Sequence, residues 1–482
     1  MSFAPRLSVV AVDAFEQPFG LRLPFRFGVI TVTHGVQAIV RVRVRLADGR
    51  EGDGYAAEAL GAKWFDKNPA WSDEQNVEQL RKSIELASTV YRHAPAMTAF
   101  DLFAEHYRAQ LEAGAALALV PLVASYGLAL LDRAVLDALC RLEGLSFWTA
   151  VRRNLPGLRA HPIVPDLDGF DFDAFLAGLE PTLAIESRHT VGLVDPIVAA
   201  DQPPGTRVDD GLPETLEEVV ETYGNRYFKL KVGGNMRDDL ARLVRIAGVL
   251  DRIREPIRIT LDSNEQYEDV EAVVELWEAM EHEPALQRLC ASTLFIVQPI
   301  KRQVALAHSV RPLARLRPVI IDESDGELDA FPRARRLGYT GVSSKNCKGF
   351  YKSLVNLARC RLWNADGEGS YFMSGEDLTT QAGFSVQQDL ALVSLLGLTH
   401  VERNGHHFID GFAGRPAAEA QAFLRQHPDL YREDRGRVRL RIERGVLRIG
   451  SLDCPGFGTS VVPILDTTRP MPAANWPQAR KP

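Results

Sequence analysis

Lys229 and Lys231 lie in the stretch Arg226–Gly234, Arg-Tyr-Phe-Lys-Leu-Lys-Val-Gly-Gly, and are two amines spaced for acid/base chemistry. Side chains alternate faces along a strand, so Phe228, Leu230 and Val232 point one way and both lysines the other. Two ammonium groups roughly 6–7 Å apart, at two residues of strand rise, repel each other. Each lowers the other's pKa and burial lowers it further, which is how a lysine becomes a base near neutral pH. On an exposed edge strand the same pair would only be solvated, so its chemistry depends on partners elsewhere. Three more strand-like stretches supply them. Ile257–Glu265 carries Asp262, Asn264 and Glu265; Val319–Ser324 carries Asp322 and Glu323; Gly341–Asn346 ends in Lys345 and Asn346.

The elements that must position these groups follow from periodicity. Beyond residue 185, short apolar runs alternate with amphipathic stretches such as Met236–Leu250, Val270–His282 and Leu328–Leu337. Eight runs, from His189–Pro196 through Tyr227–Val232 to Thr399–Arg403, predict an α/β fold with a (β/α)8 barrel. A doubly wound sheet gives similar alternation, so the number of runs decides. Barrel chemistry sits at the C-terminal ends of the strands, where Lys231, Asp262, Asp322 and Lys345 fall. The spacings from Lys231 to Asp262 and from Asp322 to Lys345 suit a barrel of ~250 residues, about 31 per unit.

Residues 1–150 predict an α+β domain. Ser8–Phe15 and the alternating Val40–Leu46 are strands, Asp48-Gly49 is a hairpin turn, and Gly52–Ala57 returns. Gly52-x-Gly54-x-x-Ala57 resembles a dinucleotide fingerprint but opens no helix and is rejected. Phe19–Val29 and Glu58–Trp71 are predicted as aromatic loops able to cover a substrate, with Phe25 and Trp64 as contacts. Ser72–Gln75 is a capping box, helices run on through Ala115–Leu142, and Gly144 stops the last. The run holding Asp166, Asp168, Asp171 and Asp173 lacks the glycine and glutamate of a calcium loop and is predicted to be a solvated linker. Glu376 and Asp377 follow the seventh run. Glu402, His406 and His407 follow the eighth, as a weak metal candidate in a glycine-containing loop.

The 482 residues are 46% hydrophobic with a net charge of −7, a globular composition with no bulk attraction to nucleic acid. Five scattered cysteines, no Cys-x-x-Cys and no apolar leader predict a cytoplasmic protein with reduced thiols. Ala115–Leu131 is broken by Pro121 and Gly127 and too short for a membrane span.

On these motifs the chain resembles the enolase superfamily, in its muconate-lactonising and mandelate-racemase-like branch. Lys229-x-Lys231, Asp262-Ser-Asn264, Ile321-Asp-Glu-Ser324, Lys345 and the helix segment Ala129–Ala138 carry the resemblance. It implies an N-terminal capping domain (1–150), a barrel (185–420) and a C-terminal segment (421–482) returning to the cap. It also implies a homo-oligomer and an isomerase or lyase that removes the proton α to the carboxylate of a small acid. Lys231 would be the base on one face, Lys345 the acid or base on the other, and Lys229 would depress the pKa of Lys231. Asp262 and Asp322 would hold Mg2+, with Asn264, Glu376, Phe25 and Trp64 near the substrate.

The fourth strand departs from the pattern. Ile-Glu-Gln-Pro in the family is Ile296-Val297-Gln298-Pro299 here, which removes the middle metal ligand. Either Gln298, Glu265 or Glu323 replaces it, or the substrate's carboxylate completes a weak site, or the metal is absent. A non-catalytic carboxylate-binding protein and a metal-free lyase or aldolase using a Schiff-base lysine are the rival readings.

Overall fold

The computed structural model describes residues 4–476 apart from Val29, Ala62 and Glu368. Strands β1 (Leu7–Phe27), β2 (Ile30–Leu46) and β3 (Glu51–Ala59) form an antiparallel meander. Val40, Val42 and Val44 are buried on one face of β2. On the other, Arg41, Arg43 and Arg45 stand opposite Asp13, Asp53 and Glu51 and pair with them. Such cross-strand pairs add a little stability and fix the register. The helix Tyr126–Glu143 covers the apolar face and ends on Gly144 in the left-handed region. A Cβ on Gly54 would lie 2.1 Å from the Ala134 carbonyl oxygen in that helix. The glycine therefore serves close sheet–helix packing, which disposes of the dinucleotide resemblance.

Phe19–Val29 is not a loop: β1 runs on to Phe27, with Phe25 opposite Val32 and Phe27 opposite Ile30. Pro24, which signals a break in the sequence, falls in the register shift between Gly20 and Phe25, where the ladder is interrupted. Val29 lies outside the described residues. Glu58 and Ala59 belong to β3, and the connection begins after them. The Ser72 capping box is present and opens the helix Asp73–His93.

The barrel consists of β4 (Ala184–Val191), β5 (Tyr227–Lys231), β6 (Arg258–Asp262), β7 (Thr293–Val297), β8 (Val319–Ile321), β9 (Gly341–Ser344), β10 (Phe372–Gly375) and β11 (His400–Arg403). Each is parallel to the next, and β11 pairs with β4 to close the ring. The predicted first strand, His189–Pro196, begins earlier, at Ala184. Arg188 is fully buried and ion-paired with Glu376, so this strand carries charge inward and lacks an apolar signature.

Strands β12 (Tyr431–Asp434) and β13 (Arg437–Leu440) form a hairpin, β14 (Val446–Arg448) adds antiparallel to β4, and β15 (Arg469–Pro470) pairs with β1. The returning segment is anchored by Phe457, which stacks on Phe147 at 3.8 Å and donates its N–H to Asp137. The four aspartates of the acidic run are exposed to solvent as expected, but the run is structured: Asp166 pairs with Arg359 and Asp171 caps the helix Phe172–Ala177. All five cysteines are free thiols, and among the described residues no helix is long and apolar enough to cross a membrane.

Candidate active site

Strand alternation turns Lys229, Lys231, Asp262, Val297 and Asp322 into the barrel mouth. Register sets Lys231 beside Asp262 and Asp262 beside Val297. β5 and β9 are four strands apart either way round the ring, so Lys231 and Lys345 approach from opposite walls. Lys231 Nζ donates to Asp262 Oδ2 at 2.5 Å and to Asn264 Oδ1 at 2.6 Å. Lys345 Nζ donates to Asp322 Oδ2 at 2.9 Å and sits 4.0 Å from the centre of the Trp64 ring. Lys229 Nζ meets Asp262 Oδ2 at 2.7 Å, Glu376 Oε2 at 2.6 Å and Glu402 Oε2 at 2.8 Å.

The two facing lysines differ in charge preference. Burial pushes Lys231 below the ordinary lysine value; Asp262 opposes this and Lys229 adds to it. Burial works against the Lys345 ammonium, but Asp322, together with Glu402 and Glu323, outweighs it and raises the pKa. Lys229, with three carboxylates, is held charged more firmly still. The mouth thus sets one lysine whose pKa is lowered opposite one whose pKa is raised.

Val297 is fully buried and packs with Phe295 and Ile320 inside the barrel. Around it the oxygens of Asp262 and Asp322 are in use. Asp262 Oδ1 accepts the Asn264 N–H, while Oδ2 serves Lys229 and Lys231. Asp322 Oδ1 accepts from Ser343 Oγ at 2.5 Å and lies 3.0 Å from Lys348 Nζ; Oδ2 serves Lys345.

Of the substitutes named for the missing ligand, Gln298 and Glu265 are committed elsewhere. Gln298 accepts the N–H groups of Asp322 and Ser324 and donates to the Ile300 carbonyl. Glu265 pairs with Arg302 and Lys67. Glu323 takes bonds from Asn264 and Lys67 on one oxygen, leaves the other unpartnered, and is pushed by burial toward its neutral form. Among the described residues no three Asp, Glu, His or Cys side chains converge to hold a metal ion. Lys229 pairs with Asp262, Glu376 and Glu402, Lys231 shares Asp262 with it, and Lys345 and Lys348 share Asp322. The residues present do not fit a divalent cation, which needs free carboxylate oxygens in octahedral array.

A cavity of about 380 Å³ opens above these groups, a size that holds a small organic ligand. Lys229, Lys231, Asn264 and Lys345 form part of its floor, and Phe25 and Trp64 line its walls. Glu376 is fully buried against Lys229 and Arg188 and holds the lysine from behind. Asp377, Glu402 and Asn404 also face the cavity, a role not assigned to them from the sequence. Glu402 was legible only as a neighbour of His406 and His407. Those rings instead pack against His189 and Tyr223, while Glu402 turns to Lys229 and Thr190. Lys348, three residues after Lys345, and Lys67, which ties the segment after β3 to Glu265 and Glu323, carried no sequence signal of their own. Asn264, Glu265 and Gln298 adopt left-handed backbone around the mouth, at φ of 44°, 67° and 35°. Such strain gathers at functional sites.

No family model and no curated protein sequence matches the chain. Solved structures do. A dipeptide epimerase from Enterococcus faecalis, complexed with Mg and the dipeptide L-Leu-L-Tyr, is 13% identical, with a TM-score of 0.59 over 94% of this chain and 99% of its own. A muconate lactonizing enzyme from Pseudomonas fluorescens, complexed with muconolactone, is 17% identical, with a TM-score of 0.56 over 95% and 98%. An enolase from Bradyrhizobium, complexed with magnesium and mandelic acid, is 16% identical, with a TM-score of 0.56 over 95% and 97%. At these identities the likeness is one of architecture: the chain has the capped (β/α)8 barrel of these enolase, epimerase and muconate-lactonizing structures.

Proposed function

We propose that the protein is an enolase-superfamily acid/base enzyme, an isomerase or lyase, that removes a proton from a carbon next to the carboxylate or carbonyl of a small acid. The observation that carries this is the asymmetry across the cavity: Lys231 is pushed toward the neutral amine, and Lys345, on the opposite wall, is held as the ammonium. Neutral Lys231 takes the proton. The electron pair left on carbon moves to the carbonyl oxygen, and Lys345 donates a hydrogen bond or its proton there. An ammonium has three donors, and Lys345 uses one on Asp322, leaving two for the substrate. Lys229 pairs with Asp262, Glu376 and Glu402 and lowers the pKa of Lys231. The fold's relatives bind muconolactone, a dipeptide and mandelic acid, all small carboxylates or their lactones, which supports the substrate class.

A carboxylate α-proton is very weakly acidic, and the residues here do not fit a divalent electrophile. The pair therefore suits a carbon already acidified by a ketone, as at C3 of a 2-oxo acid. One poised base and one held acid favour a directed isomerisation or elimination over racemisation, in which the two lysines would exchange roles. The test is solvent-deuterium exchange at C3 of 2-oxo acids. Lys231→Ala and Lys345→Ala are each expected to slow it by about 10²–10⁴-fold, the usual contribution of a positioned acid or base. Exchange unaffected by both would refute the assignment.

One observation favours a second reading. A buried amine beside another cation is also a Schiff-base nucleophile, and Lys231 beside Lys229 fits that description. Borohydride trapping of Lys231 with a 2-oxo acid would identify it.

A further inference from the structure

We propose that the substrate carries an apolar tail on its acidic head, and that sugar acids and dicarboxylates are excluded. The proposal deepens the acid/base reading and rests on it for the head group alone. The cavity is chemically graded. Its floor is charged, with Lys229, Lys231, Lys345, Asn264 and Glu402. Its walls carry Phe19, Leu21, Val32, Val36 and Leu60, with Thr31, Thr33 and His34 as the polar lining side chains of the β1–β2 hairpin. Several of these, including Phe19, Leu21, Val32 and Val36, are only half-buried, so apolar surface is left facing the cavity. Large apolar surface that the protein does not cover itself marks a binding site for something apolar.

The mouth of the cavity adds a second selection. Asp73, Glu74 and Glu78 stand there, with Arg81 paired to Glu78 and Glu16. A second carboxylate at the far end of a ligand would meet this acidic rim. Hydroxyls of a sugar acid set against Phe19, Val32 and Val36 would be buried without partners, and among the described residues of that hairpin only Thr31, Thr33 and His34 line the cavity with polar groups. A monoanion with an alkyl or aryl tail meets neither obstacle.

The probes are 2-oxobutanoate, 2-oxohexanoate, 2-oxooctanoate and 2-oxo-4-phenylbutanoate, with 2-oxoglutarate and gluconate as contrasts. Binding is measured by calorimetry and C3 exchange in D2O by NMR. Burying one methylene is worth about 0.8 kcal/mol, so affinity is expected to rise about fourfold per methylene along the alkyl series. The phenyl acid is expected to bind ten- to a hundredfold tighter than 2-oxobutanoate. Val32→Thr, a substitution of similar volume, should cut the affinity gained per methylene along the series severalfold. A flat series, or 2-oxoglutarate or gluconate binding as tightly as 2-oxooctanoate, overturns the proposal. A rising series with no exchange above the buffer rate upholds the apolar tail and removes the acid/base reading. Exchange on every 2-oxo acid without a gain from chain length does the reverse.

Discussion

At the scale of single residues, the chemistry reduces to which lysine is neutral. Burial and Lys229 lower the pKa of Lys231 below the usual 10.5, while Asp262 resists. The proposed base must be neutral to act, so the C3 exchange rate should rise with pH through one ionisation below 10.5 and level off above it. Lys345 is held above its ordinary value, so the acid partner stays protonated throughout that rise. Lys229→Gln removes a cause that lowers Lys231 and leaves Asp262 pulling on it alone, so the ascending limb should move to higher pH. A limb that stayed in place, in a variant shown by circular dichroism to be folded, would remove Lys229 from that role. Lys229, Lys231, Asp262, Asp322 and Lys345 were legible in the sequence because each sits at a strand end beside an apolar alternation. Lys348 and Lys67 were not, because nothing local distinguishes a lysine that reaches a distant carboxylate from one that reaches water.

At the scale of elements, the chain's periodicity located the barrel strands to within about a residue, except the first. Strands whose outward side chains are apolar announce themselves, as β6 does through Ile259 and Leu261. β4 does not, because Arg188 and Glu186 replace the expected pattern with charges whose partners, Glu376 and Arg226, flank other strands. The hairpin of β1 and β2 was masked in the same way by Pro24 and Gly20, which only the paired strand shows to be a register shift. Glycine in β3 has the opposite lesson. Gly54 looks like a motif residue but is fixed by the helix Tyr126–Glu143 above it. Gly54→Ala should lift that helix off the sheet and cost about 1–3 kcal/mol, the usual penalty for overpacking, read as a lower denaturation midpoint. An unchanged midpoint would show that the contact can relax.

At the scale of the whole molecule, the cap and the barrel share one cavity. The barrel supplies charge and the cap supplies apolar wall, and Trp64 from the segment after β3 rests over the Lys345 ammonium. Lys67 and Arg302 tie that segment to Glu265 and Glu323 at the barrel mouth. The sequence resemblance reached this architecture and also located the departure from it at Val297. It could not say how the site adjusts to a valine there, because the answer lies in side chains far apart in sequence. Lys229 and Lys231 take up Asp262, and Lys345 and Lys348 take up Asp322, the two carboxylates that a metal would otherwise occupy. The most direct measurement is the rate of C3 deuterium exchange into 2-oxo-4-phenylbutanoate by protein freed of divalent ions with a chelator, before and after Mg2+ is restored. Full activity without the metal, unchanged by its addition, is the predicted result. Exchange that appears only once Mg2+ is returned would mean that the lysines give way to a cation, and that Val297 has not displaced it.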